Sequence, residues 1–124
     1  MNGTRPMRVT GTDGISQARR YAIAVASEKL GPPRLRDVAL VVSELVSNAL
    51  EHGRGHADLT VELIDDGVEI TVGSPADGEL EVPDAPPPTS DHRGRGLRIV
   101  NSLTDAMVVS SVDDEIEIVV RIEP

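Results

Sequence analysis

The sequence predicts an α+β fold, a two-layer sandwich in which a mixed, mostly antiparallel sheet is covered on one face by helices. Three observations lead there. Two long segments place apolar residues at three-and-four spacing, the period drops to two after His56, and helices and strands come in blocks rather than alternating. At 124 residues the chain is one domain with a single core.

Taken in order, residues 1–12 are a polar N-terminal segment with a short strand at Met7 to Thr10, and residues 13–124 are the domain proper. Thr12 or Asp13 can cap a helix reaching about Leu30, whose stripe is Ile15, Ala18, Ala22, Ile23, Ala26 and Leu30. Gly31-Pro32-Pro33 breaks it, and a second helix runs from about Leu35 to His52, with Gly53 and Gly55 as its stop. Ala57, Leu59, Val61 and Leu63 then alternate with polar residues, Asp65-Asp66-Gly67 makes a tight turn, and Val68, Ile70 and Val72 resume the alternation. From Gly73 to about Gly96 the chain holds five prolines and no helical period, as a lid or binding loop would. Gly94-Arg95-Gly96 opens a short helix, Leu97 to Leu103, and strands follow at Ala106 to Val112 and Glu115 to Ile122, turned by Asp113-Asp114.

Composition excludes several classes of function. The net charge is −9, with 21 acidic residues against 12 basic ones, which disfavours nucleic acid or an anionic membrane as partner. Tyr21 is the one aromatic residue, so bases cannot be stacked on exposed rings. Without cysteine there is neither a disulfide nor a thiolate metal site. Met1 to Thr12 has no apolar signal core and no apolar run reaches about 18 residues, so the expected location is the cytoplasm.

The second helix carries the chemistry. Val38, Val42, Leu45 and Ala49 fall on one stripe, and Glu44, Asn48 and His52 descend an adjoining one, a turn apart. On an ordinary amphipathic helix such residues form a solvated face. Here they border the apolar stripe, where a carboxylate and a carboxamide would line a cleft. A Gly-Arg-Gly before a helix lets backbone approach a phosphate closely, with Arg93 or Arg95 adding positive charge, although the same residues would also serve as a plain loop-to-helix junction. His52, His56 and His92 straddle glycines or lie in a loop, which is a poor metal-ligand spacing.

The order of these parts resembles the GHKL ATPase superfamily, the Bergerat fold shared by gyrase and histidine kinases. More narrowly, the chain is similar to anti-sigma-factor serine/threonine kinases. The matching residues are Ala18-Arg19-Arg20-Tyr21, the run Val41-Val42-Ser43-Glu44-Leu45-Val46-Ser47-Asn48-Ala49-Leu50-Glu51-His52-Gly53, and Gly94-Arg95-Gly96-Leu97-Arg98-Ile99-Val100. The likeness spans roughly Gln17 to Ile122. It implies ATP and Mg²⁺ as ligands, with Asn48 holding the Mg²⁺ that bridges the phosphates and Glu44 as general base toward a serine hydroxyl. It further implies that Gly94, Gly96 and Leu97 fold over the phosphates with Arg93 or Arg95, and that His52 is structural.

The partners implied are an anti-anti-sigma protein of the STAS class, which accepts the phosphate on serine, and a sigma factor; a homodimer is a frequent arrangement in such kinases. In these relatives the second strand of the first hairpin runs into an Asp that binds the adenine amino group. Here that position is Gly73, and losing the carboxylate partner would cost on the order of 1.5–3 kcal/mol. Two readings therefore stay open: an ATP-dependent kinase, or a degenerate module that regulates a sigma factor or STAS protein by contact alone. A self-contained ATP hydrolase is a third, less suited to so small a domain.

Overall fold

The structure, a computed structural model, describes residues 6–52, 55–75, 92–112 and 114–124. Its elements are β1 (Met7–Val9), α1 (Asp13–Ala26), α2 (Pro32–His52), β2 (Ala57–Ile64), β3 (Gly67–Pro75), α3 (His92–Leu103), β4 (Ala106–Val112) and β5 (Glu115–Ile122). The strands form one sheet in the order β1-β2-β3-β5-β4. Every pairing among the described residues is antiparallel, so the sheet is not mixed.

Alternation in the strands sorts the two faces. Val68, Ile70, Val72 and Ser74 of β3 are buried beneath the helices, as are Leu59 and Val61 of β2 and Ile116, Ile118, Val120 and Ile122 of β5. The intervening residues, among them Thr71, Gly73 and Glu117, point to the uncovered side. Val38, Val41, Val42, Leu45, Val46 and Ala49 of α2 complete the core, together with Ala18, Ala22 and Ala26 of α1 and Leu97 and Val100 of α3. With Tyr21 only packed against its margin, this core is aliphatic.

Helix boundaries depart from the sequence expectation where prolines and glycines are concerned. α2 begins at Pro32, not Leu35, because the two prolines occupy first-turn positions whose N–H groups have no intrahelical partner anyway; Leu35 N–H closes the first turn on the Gly31 carbonyl at 3.0 Å. α1 ends at Ala26, and Leu30 reaches the core from a turn in which its N–H bonds the Ala26 carbonyl at 2.9 Å. Thr12 stands at the N-cap position but its hydroxyl makes no cap bond; backbone turns from Gly14 to Gly11 and from Ile15 to Thr12 serve instead. β3 continues to Pro75, so residues 73–75 belong to the sheet rather than to a lid. Residues 92–96 of that expected lid open α3, whereas residues 76–91, the Gly53 stop and Asp113 of the last turn lie outside the described residues. Asp114 in that turn takes φ +64°, which a short polar side chain tolerates.

One end of the sandwich is fastened by Arg34, near the start of α2. Its Nε donates to the Glu123 carbonyl at 2.7 Å, Nη1 to Asp37 Oδ2 at 2.7 Å and to the Leu103 carbonyl at 3.1 Å, and Nη2 to Asp105 Oδ2 at 2.9 Å. Asp105 in turn accepts from Glu123 N–H at 2.8 Å. The guanidinium thus ties α2 to the end of α3 and to the outer ends of β4 and β5. Arg34→Met should cost about 2–3 kcal/mol, since it leaves Asp105 and two carbonyls without their charged donor. Urea unfolding measures this, and a loss under about 0.5 kcal/mol would mean that water replaces the clamp.

Candidate functional site

The opposite end of α2 carries the candidate site. Asn48 lies about four turns, roughly 21 Å, beyond Arg34. The Arg34 contacts place the start of α2 over the end of the sheet where Val68 pairs with Ile122, and Lys29 Nζ reaches the Asp65 carbonyl at that same end. The later turns of α2 therefore advance along β3 toward Ser74 and Pro75. α3 runs back against α2: Leu103 meets Arg34 at one end, and Gly96 meets Glu44 at the other.

That second meeting is close. A Cβ on Gly96 would lie 2.7 Å from Glu44 Oε1 and 3.7 Å from its Cδ, so the carboxylate rests directly on α3 backbone and only glycine leaves it room. Glu44 is half-buried, and one turn onward the Asn48 carboxamide is 8% exposed. Next to Glu44, Ser43 Oγ accepts from Arg19 Nη1 at 3.2 Å and donates to the Ala39 carbonyl at 2.9 Å. This pairing ties α1 to α2 just where α2 presents the candidate residues, so that Arg19 of the first matched segment helps to hold that turn in place.

The sequence-derived candidates divide accordingly. Glu44, Asn48 and Gly96 gather on one side of the α2–α3 contact. Gly94 and its flanking arginines lie within α3 rather than ahead of it, because the helix begins at His92; the side chains of His52, Arg93 and Arg95 are outside the described residues. Leu97 is 4% exposed and packs in the core, so its side chain supports the helix rather than reaching a ligand.

Gly73 does not join the site. It pairs with Asp58 and Glu117 on the uncovered face, and a Cβ there would meet nothing nearer than the Ile116 carbonyl at 3.9 Å. Strand parity explains the correction: side chains alternate, so the polar position continuing Val68, Ile70 and Val72 is Ser74, which is 7% exposed. Among the described residues Asn48 and Ser74 are the buried polar side chains. That alternation was the available signal for Ser74. Nothing in the periodicity marked Arg34.

The donor set suits a magnesium-bound polyphosphate. A neutral amide oxygen is a hard ligand of the kind Mg²⁺ takes, and Mg²⁺ completes its shell with substrate phosphates and water rather than with a protein cage. Among the described residues no group of three or more His, Asp or Glu could cage a metal by itself. Beside the Glu44 carboxylate an unscreened polyphosphate would be repelled, and a cation between them would relieve that repulsion. No helix of the described residues is long and apolar enough to cross a membrane.

The profile of the histidine kinase-like ATPase domain family matches residues 11–122. That range takes in α1 through β5, including every candidate residue. No relative was found among curated proteins. A match over nearly the whole length, on a fold that sets Glu44 and Asn48 of α2 beside the glycine of α3, places this chain in the histidine kinase-like ATPase domain family, the GHKL type of ATP-binding fold.

Proposed function

We propose that this protein is an anti-sigma-type regulator which binds Mg-ATP and transfers its terminal phosphate to a serine of an anti-anti-sigma partner of the STAS class. The observation that carries this reading is the Glu44 carboxylate seated on Gly96, with the buried Asn48 carboxamide one turn away. Bound Mg-ATP would supply the γ-phosphoryl group. Asn48 would contribute an oxygen to the cation, and backbone of α3 would face the phosphates. Glu44 accepts the proton of the partner's serine hydroxyl as that oxygen bonds to phosphorus and the bond to ADP breaks. A half-buried carboxylate on a rigid helix has the access and the fixed direction that this task needs.

A second reading is favoured by the end of β3, whose buried residues Val68, Ile70, Val72 and Ser74 include no carboxylate to grip adenine. A contact-only regulator of a sigma factor or STAS protein would follow if that grip were lost entirely.

Calorimetric titration with Mg-ATP separates the two. Binding in the micromolar to sub-millimolar range is expected, and Asn48→Ala should weaken it about tenfold or more by removing the amide oxygen from the cation shell. An absence of heat and of any melting-temperature shift at millimolar Mg-ATP would leave the contact-only reading standing.

A further inference from the structure

The sheet ends in two unlike edges, β1 and β4. β1 is three residues long, follows Pro6, and carries Arg8, whose Nε donates to Asp58 Oδ1 of β2 at 2.9 Å. Shortness, a proline and a charge are the usual means by which an edge is kept from pairing with another chain. β4 has none of them. Its seven residues, Ala106–Val112, include no charge, proline or glycine, in a chain whose net charge is −9. Val108 is 61% exposed, the most open of the large apolar residues described. The stretch from Ala106 to Ser110 lies away from the Val112 end, which shares a row with Glu115 and Pro75.

An outer strand directs alternate backbone groups away from its neighbour, and the side chains on its two faces decide what can pair with them. On the covered face Met107 and Val109 are half-buried beside Val120 and Ile118. On the uncovered face Val108 adjoins Val119, with a small residue on either side: Ala106 next to Arg121, and Ser110 next to Glu117. Across β3, Glu117 meets only Gly73, whereas Arg121 meets Glu69. A strand laid against β4 thus needs apolar side chains at its middle, positive charge beyond Ser110 and negative charge beyond Ala106.

A second β4, antiparallel about a two-fold axis at Val108, meets each requirement. Val108 faces Val108 of the second copy, Met107 faces Val109, and Ala106 faces Ser110. Across the junction the uncovered row then reads Glu117, Ser110, Ala106, Arg121, with opposite charges separated by two small side chains, and symmetry repeats it on the other side of the axis. Asp105, already held by Arg34, falls opposite Ser111. An axis at Val109 would instead turn Asp105 toward the acidic turn that holds Asp114, so charge selects the register.

We infer that β4 joins two copies of this chain edge to edge about Val108, so that the two five-stranded sheets become one. Residues paired in an antiparallel ladder share a face, which places both helical layers on the same side of the joined sheet. The pairing is short, so the dimer is weak, with a dissociation constant of roughly 10–100 µM. It uses neither Glu44 nor Asn48 and is independent of the nucleotide reading.

The experiment is sedimentation velocity of the full chain from about 1 to about 500 µM, with circular dichroism to check folding. The unmodified chain should pass from monomer to dimer over that range. Val108→Lys sets two ammonium groups against each other at the axis, on a residue already open to water, and should raise the dissociation constant at least about tenfold. Cysteine, of which the chain has none, reads the register. Val108→Cys should give a disulfide-linked dimer on oxidation, because residues facing one another across antiparallel strands have Cα atoms roughly 4.5–5.5 Å apart, within disulfide reach. Ala106→Cys would hold its two thiols roughly 14 Å apart and should stay largely unlinked. A chain still monomeric at the highest concentration, a dimer indifferent to Val108→Lys, or cross-linking as fast through Ala106→Cys as through Val108→Cys each overturns the inference.

Discussion

Glu44→Gln is expected to keep Mg-ATP affinity within about threefold while lowering phosphate transfer to a STAS-domain serine by about 10²–10⁴, the range a positioned general base contributes. The amide is nearly the same size as the carboxylate and still fits against Gly96, so the fold and the phosphate contacts are retained. What disappears is the acceptor that the proposed transfer needs for the serine proton. Gly96→Ala is the companion test. Its methyl would lie 2.7 Å from Glu44 Oε1, the free end of a flexible side chain that can swing aside. Stability should therefore hold or rise slightly, since alanine favours a helix over glycine by about 1 kcal/mol. Transfer should nonetheless fall, because the displaced carboxylate no longer points where the hydroxyl enters. If Glu44→Gln transferred phosphate at the original rate, the base would have to be another group. If Gly96→Ala did so, close seating of the carboxylate would be irrelevant to turnover.

The largest effect on stability is expected at Gly67. This residue holds φ +152° where β3 leaves its turn, and a Cβ there would overlap the Ile122 carbonyl oxygen of β5. The overlap is with backbone, which cannot swing aside. Gly67→Ala must part β3 from β5 at the Val68–Ile122 pair, both members of which are fully buried. A loss of about 3–4 kcal/mol is expected, a large fraction of what a domain of this size has. Gly73→Ala provides the contrast: it lies six residues along the same strand with open space around it, so its change should stay within about 0.5 kcal/mol. Chemical denaturation of the two variants measures the difference. Equal midpoints would mean that the β3–β5 ladder yields at its end without penalty.

Much of this architecture was legible in the residues. The three-and-four spacing of Val38, Val42, Leu45 and Ala49 announced α2 and its inner face, and the Asp-rich turns flanked by alternating Val and Ile announced both hairpins. Glu44 and Asn48 could be placed on one side of the helix because both border that stripe. The misplacements have physical sources. Prolines at Pro32 and Pro33 read as a break, yet the first helical turn has no use for their missing N–H groups. Gly94 and Gly96 read as a loop because glycine is a poor helix former, but α3 includes both, and at Gly96 the close approach of Glu44 leaves no room for a Cβ. Gly73 lies on the uncovered face, because counting by twos from Val68 gives the covered face to Ile70, Val72 and Ser74. Long-range pairings such as Arg34 with Glu123 have no local period and could not be foreseen.

The Arg34 clamp and the Asn48 carboxamide occupy opposite poles of one helix, and this separation has an evolutionary meaning. Substitutions at two places so far apart, sharing no neighbours, combine as simple sums. A lineage can thus drift in thermal tolerance by adjusting the clamped pole, or in ligand preference by adjusting the open one, without a change at either pole restricting the other.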